Sequence, residues 1–252
     1  MATITPSSEA VSELTGLHLY HFSQSNCSMR VRMTLEEKCI PWTSHHVNLH
    51  AAENVTPAYF GIHPKGLVPA LVHDGVVHIE SNDIIDYLDE TFADPPLRPA
   101  NEADRHRMRE WMRLATDNHI HVKTYMFAHR IGRRMAKTAS ELALYRRLQH
   151  NPELLEFHAE NSSPEGLAET RVTGATTVLK DCFGRLDDGL REHPWIAGDA
   201  FSLADITWMP LYVTLNGARF PFDAYRNVLR WASAVRRRAS FRTAVSDWVE
   251  KT

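Results

Sequence analysis

Short runs of β-like character occupy the first part of the chain, and longer stretches of helical spacing follow. Leu17, Leu19, Tyr20 and Phe22 form a first β-like run, and SHHVNL, residues 44–49, forms a second. VPALVHDGVVHIE, residues 68–80, reads as a hairpin turned at Asp74-Gly75, a pair suited to the positive φ values of a type I′ turn. Ile84, Ile85, Leu88 and Phe92 then fall at helical spacing, predicting a change from strand to helix at about Ser81. The polar start, residues 1–14, reads as a flexible tail.

FADPPLRPANEAD carries three prolines between Pro95 and Pro99 and reads as a linker over 94–102. Beyond it, the pattern is helical throughout. Asn101 with Asp104 three residues on marks a helix start, and Met108, Trp111, Met112, Ala115 and Val122 mark an apolar face. Breaks are expected at Asn151-Pro152 and Ser163-Pro164, and a further helix from about Ala168 to Leu190. Ser202 and Asp205 make an acidic variant of the capping box, with Phe201 and Ile206 placed for a hydrophobic staple. Each device contributes about 0.5–2 kcal/mol, so this helix entry is written locally.

Composition narrows the class. Of 252 residues, 43% are apolar and 23% charged, with a formal net charge of −3, which suits a globular protein and gives no global reason to expect nucleic acid or an anionic membrane as partner. The first residues lack the basic and apolar regions of a secretory signal, and no window is apolar enough for a membrane span, so a cytoplasmic protein is expected. Cys27, Cys39 and Cys182 are odd in number and far apart, which favours free thiols over a disulfide framework. The histidines of HHVNLH and HIHV lack partners at zinc-ligand spacing, so no metal site is expected. Arg236-Arg237-Arg238 reads as a solvated helix face.

QSNCSMRVRM, residues 24–33, concentrates the candidate chemistry. Cys27, Met29, Val31, Met33 and Leu35 alternate as in a strand, whereas Ser25 and Asn26 are good N-cap residues and TLEEK is rich in helix formers. The pattern alone leaves strand and buried helix open. In the helical case, Ser25 and Cys27 sit where unpaired N–H groups and the positive end of the helix dipole stabilise an anion, a thiolate included. The arginines, Arg30 and Arg32, read as structural.

SNCSMRVRM, the stretch NLHAAENVTPAYFGIHPKGLVPALVHDGVVHIESNDIIDYLDE and IAGDAFSLADI together resemble the cytosolic glutathione transferase superfamily, in the right order and over about residues 15–250. The first is similar to the Ser-x-Cys signature of the zeta class, with Asn26 where zeta members usually carry a second serine. The resemblance implies an α+β two-domain fold: a thioredoxin-like glutathione-binding domain over 15–93, then an all-helical substrate-binding domain over 103–252. It decides for a helix after Ser25 and implies a homodimer.

The resemblance also assigns roles. Ser25 matches the hydroxyl that activates the glutathione sulfur, and Cys27 a residue that forms a mixed disulfide. Val68 matches the residue that pairs its backbone with the cysteinyl part of glutathione, before a cis Pro69. Glu80 and Ser81 match the pair that holds the γ-glutamyl group, and Lys65 is a cation for a glutathione carboxylate. Tyr125, Met126, His129, Arg130, Trp208 and Tyr212 are candidates for a second, hydrophobic pocket, and Arg185 lies near a region where zeta members use an arginine on the substrate. The implied activity is substitution by the glutathione thiolate on an aromatic electrophile, as in bacterial β-etherases and reductive dehalogenases of chlorinated hydroquinones. Alternatives are a zeta-type cis-trans isomerase, a Cys27-dependent thiol transferase, or a non-catalytic ligand or protein binding module.

Overall fold

The computed structural model describes residues 2–6 and 9–249. Five strands form one mixed sheet in the order β1-β5-β4-β2-β3: β1 Ala2–Ile4, β2 Leu17–His21, β3 Thr43–His46, β4 Ala70–His73 and β5 Val76–Ile79. β2 and β3 run parallel, joined through α2 (Asn26–Glu37), and the other pairings are antiparallel. The hairpin β4-β5 turns where Asp74 and Gly75 both take positive φ, 48° and 79°. Residues 2–4 depart from the expected tail: Ala2, Thr3 and Ile4 pair with Ile79, His78 and Val77, because the β5 edge offers unpaired backbone groups that a strand satisfies.

Alternation along the strands feeds two faces. Leu17, Leu19 and Leu71 join the main core, whereas Ala70, Val72, Val77 and Ile79 join a smaller one with Val11, Tyr59 and Ile62. The short helices α1 (Glu9–Ser12) and α3 (Pro57–Phe60) supply Val11 and Tyr59 to that second cluster. On the first face lie α2 and α4 (Ser81–Thr91), which pack on each other.

α2 explains the ambiguous alternation. Met29, Val31, Met33 and Leu35 are buried, but so are Arg30, Arg32 and Thr34 between them, because α4, α10 and the C-terminal segment cover the helix on several sides. With no solvent face, a helix has no reason to show a period of 3.6.

After a loop containing cis Asp94-Pro95, the chain is helical among its described residues. The elements are α5 (Glu102–Asp117), α6 (His119–Met126), α7 (Ala139–Leu148), α8 (Pro152–Asn161), α9 (Glu169–Glu192), α10 (Leu203–Gly217), α11 (Arg226–Arg236), α12 (Ala239–Phe241) and α13 (Asp247–Val249). Asn101 caps α5 by accepting from Asp104 N–H, and Asn151 caps α8 at the expected break. Asn118 separates α5 from α6 within the face read as one helix. The capping box at α10 is present: Ser202 and Asp205 bond reciprocally, and buried Asp205 also accepts from Ile196 N–H at 3.0 Å and Trp231 Nε1 at 2.8 Å.

α10 lies against α2, so the main core runs continuously from the sheet into the helices. One ion pair and one buried arginine tie the C-terminal part to this junction. Arg238 donates to both carboxylate oxygens of Glu37, at 2.6 and 2.7 Å, so this arginine clamps two elements instead of lying on a solvated face. Arg32 donates to the carbonyls of Phe22, Ser23 and Ala244, which fixes the turn before α2 against the C-terminal segment. No helix among the described residues is long and apolar enough to cross a membrane.

Candidate active site

Two helix N-termini, those of α2 and α4, converge beside the loop that precedes β4. Ser25 is the N-cap of α2, in extended backbone, and its Oγ accepts from Ser28 N–H at 3.3 Å. Capping uses a lone pair of Oγ and leaves the hydroxyl proton to be donated elsewhere. Cap and proton donor are therefore compatible roles for one side chain. Asn26 and Cys27 occupy the first turn behind it, where N–H groups and the helix dipole favour negative charge.

Cys27 Sγ lies 3.9 and 4.0 Å from the two ring nitrogens of His119, the first residue of α6. Burial pushes this thiol up, but the His119 ring, the Arg30 guanidinium and the Ser81 hydroxyl outweigh it and bring the pKa down to about 6. Arg30 is 2% exposed and reaches across the helices: Nε donates to Thr207 O at 3.1 Å, Nη1 to Ser81 Oγ at 3.1 Å. Its Nη2 is buried and has no hydrogen-bond partner among the described residues. Reading both arginines of the motif as structural therefore holds for Arg32, whose donors meet carbonyls, and fails for Arg30, which belongs to the site.

At α4, Glu80 takes φ +66°, a left-handed conformation costing a non-glycine residue about 1–3 kcal/mol, and it stands immediately before the helix. Its Oε1 pairs with Lys65 Nζ at 2.8 Å, with both side chains substantially exposed. Ser81 is buried in the first turn. Val68-Pro69 is cis, and Val68 lies beyond the last β2–β4 rung, Tyr20 opposite Ala70. Several bonds hold this loop: Tyr59 Oη donates to Leu67 O at 2.7 Å, Asn54 Nδ2 to Gly66 O at 2.7 Å, and Gln149 Nε2, from beyond α7, to Lys65 O at 2.7 Å. Gly66, at φ +58°, is required, since a Cβ would stand 2.7 Å from the Phe60 ring.

The residues expected in a second pocket separate. Trp208 and Tyr212 are 1% and 3% exposed inside the helical core, with Trp208 Nε1 donating to Trp111 O, so neither offers a surface to a substrate. Their apolar periodicity on α10 marks core packing, which is the usual meaning of an aromatic stripe. Tyr125 is also buried, with the His129 ring 4.2 Å away on a π-helical turn, Phe127–Ile131. Arg130 is exposed, with its guanidinium over Gly217, and Met126 is half-buried. Arg185 lines a pocket of about 210 Å³ with Glu110, Trp111, Arg113 and Leu114, none of which belongs to the Cys27 cluster.

What sequence reasoning missed is His119 and Arg30. His119 and Lys123 stand one turn apart on α6. Lys123 Nζ sits 4.2 Å over the Phe157 ring and 3.4 Å from His158 Nε2, and burial with Lys137 nearby lowers its pKa to about 7. In the sequence, HIHV offers only the pattern of a metal motif. Nothing local to it signals that a helix 92 residues downstream delivers the first histidine to Cys27.

Residues 19–96 match the family model described as glutathione S-transferase, N-terminal domain. Those residues carry that family's N-terminal domain, and the mixed sheet followed by a helical C-terminal part is the glutathione transferase fold. It is 26% identical to the glutathione S-transferase TCHQD of Arabidopsis thaliana, over 92% of this chain and 90% of that one. It is 27% identical to the tetrachloro-p-hydroquinone reductive dehalogenase of Sphingobium chlorophenolicum, over 90% and 94%. Among solved structures, the β-etherase LigF of Sphingobium sp. strain SYK-6 superposes with a TM-score of 0.83 at 23% identity, covering 94% of this chain and all of that one.

Proposed function

We propose that the protein is a glutathione-dependent transferase in which the glutathione thiolate, bound at the N-terminus of α2 and hydrogen-bonded by Ser25, displaces a leaving group from a hydrophobic aromatic electrophile. The observation that carries this reading is the pairing of two helix N-termini, one led by a hydroxyl with its proton uncommitted and the other by Glu80-Ser81. Glutathione presents a thiol, an α-carboxylate beside an ammonium, and a peptide backbone. A thiolate suits the first terminus and the carboxylate the second.

Glu80 then takes the ammonium and Lys65 a carboxylate. Their mutual ion pair is solvent-exposed and worth no more than ~1 kcal/mol, so opening it costs little. The backbone of Val68, beyond the ladder, pairs with the cysteinyl residue. A free thiol is only a few per cent ionised at neutral pH, so a hydrogen bond from Ser25 and the helix dipole raise the reactive fraction where the electrophile is met. The likeness to a reductive dehalogenase and a β-etherase supports an aromatic electrophile with a halide or phenolate leaving group. Domain limits of 15–93 and 103–252, a cytoplasmic location and a homodimer belong to the same reading.

Glutathione titrated into the wild type, Glu80→Gln and Ser81→Ala tests the binding half, with a loss of at least ~10-fold in affinity expected for each variant. A panel of aryl halides, β-aryl ethers and halogenated hydroquinones tests the reaction. Wild-type protein that neither binds glutathione nor turns over any of the panel overturns the proposal.

A further inference from the structure

We propose that His119 is the catalytic base and counter-ion of Cys27, and that the two form a second nucleophilic centre which exchanges glutathionyl disulfides beside the Ser25 site. The substrate class rests on the reading of this cleft as a glutathione site; the dyad itself rests on geometry. Cys27 Sγ stands within 4.0 Å of both His119 ring nitrogens, although 92 residues separate them and they belong to different helices, α2 and α6. Arg30 supplies an independent sign that an anion belongs here: it is 2% exposed, and its buried Nη2 has no partner among the described residues. Its Nη1 holds Ser81, whose hydroxyl also reaches Cys27. A thiol that merely packed would need neither an imidazole against the sulfur nor a buried cation close by.

The charged or titratable groups that act on Cys27 are His119 from α6 and Arg30 from its own helix, while α4 contributes the neutral hydroxyl of Ser81. In the reaction, the Cys27 proton passes to the His119 ring. The thiolate attacks the glutathionyl sulfur of a mixed disulfide R–S–S–G, the S–S bond breaks, and R–S⁻ leaves with the proton from the imidazolium. A second glutathione thiolate attacks the glutathionyl sulfur of Cys27–S–S–G, giving oxidised glutathione and returning the Cys27 thiolate. One disulfide is consumed and one formed, so no further oxidant or reductant is required.

The test is the pH profile of Cys27 alkylation by iodoacetamide in the wild type, His119→Gln and His119→Asn, with Cys27→Ser as background. The wild-type profile should rise through about pH 6, and in both variants it should move toward an ordinary thiol, with the rate at pH 6 falling at least ~10-fold. A wild-type profile centred where free thiols titrate, or a variant profile that coincides with the wild type, overturns the proposal. Iodoacetamide makes no use of the glutathione site, so this result is separate from the glutathione titration. Release of a thiol from its glutathionyl mixed disulfide at pH 6.5 should likewise slow at least ~10-fold in His119→Gln; equal rates would remove His119 from the exchange.

Discussion

Replacing Ser25 separates two roles that one oxygen performs. In Ser25→Ala, the cap is lost and Ser28 N–H goes without its acceptor; the bond is 3.3 Å long, at the weak end of the hydrogen-bonding range, so the cost should be about 0.5–1 kcal/mol. That lowers the melting temperature of a chain this size by about 1–4 °C. Burial of α2 on several sides keeps the helix itself intact. The same substitution removes the O–H donor to the bound thiolate, and loss of one such preorganised donor costs about 10²–10³ in turnover. Ser25→Asp keeps a good capping acceptor, offers no proton at neutral pH and places a negative charge beside the sulfur. Ser25→Thr keeps both functions. Thermal unfolding should therefore rank wild type, Thr and Asp together above Ala, whereas turnover and the ionisation of bound glutathione, followed by thiolate absorbance, should rank wild type and Thr far above Ala and Asp. An Asp variant as active as wild type, or an Ala variant that loses stability but not turnover, would refute the reasoning and leave Ser25 a cap alone.

Other consequences are more local. Asp205→Ala strips acceptors from Ile196 N–H, Ser202 N–H and Trp231 Nε1 inside the core and should cost about 3–5 kcal/mol, read as a shift in the denaturant midpoint at unchanged slope; a shift below ~1 kcal/mol would contradict the described network. Gly66→Ala should weaken glutathione binding more than it lowers stability, since the displaced backbone is the loop carrying Lys65 and Val68; unchanged affinity would mean that this loop does not hold the ligand. His21 is held neutral by burial and the nearby Arg32, with its pKa near 3, and burial also lowers His63, to about 4. Between pH 6.5 and about 4 the unfolded chain binds protons that the folded chain refuses, so stability should fall as pH falls, by up to ~1.4 kcal/mol per unit for each ring. A denaturation midpoint that stays flat from pH 6.5 to 5 would contradict this.

Much of the scaffold was legible because its signals are local. The Asp74-Gly75 turn, the caps at Asn101, Asn151 and Ser202 and the helix start at Ser81 each rest on a few adjacent residues. The alternation in α2 misleads because period reports solvent contact, and this helix has almost none. Residues 2–4 read as a tail because an added edge strand depends on a partner nearly 80 residues away. Ser25, Val68, Glu80 and Ser81 are named by resemblance alone; the structure sets them at helix starts and beside the ladder. The Cys27–His119 approach and the open donor of Arg30 exist only once the helices carrying His119, Ser81 and Thr207 meet α2, so no window of sequence contains them.

A structure of the protein with reduced glutathione bound tests the central claim most directly. The account predicts the sulfur within about 3.5 Å of Ser25 Oγ, the cysteinyl backbone paired with Val68 and the γ-glutamyl carboxylate at the N-terminus of α4. A sulfur out of hydrogen-bonding reach of Ser25, or a tripeptide lying away from Val68 and Ser81, would contradict it.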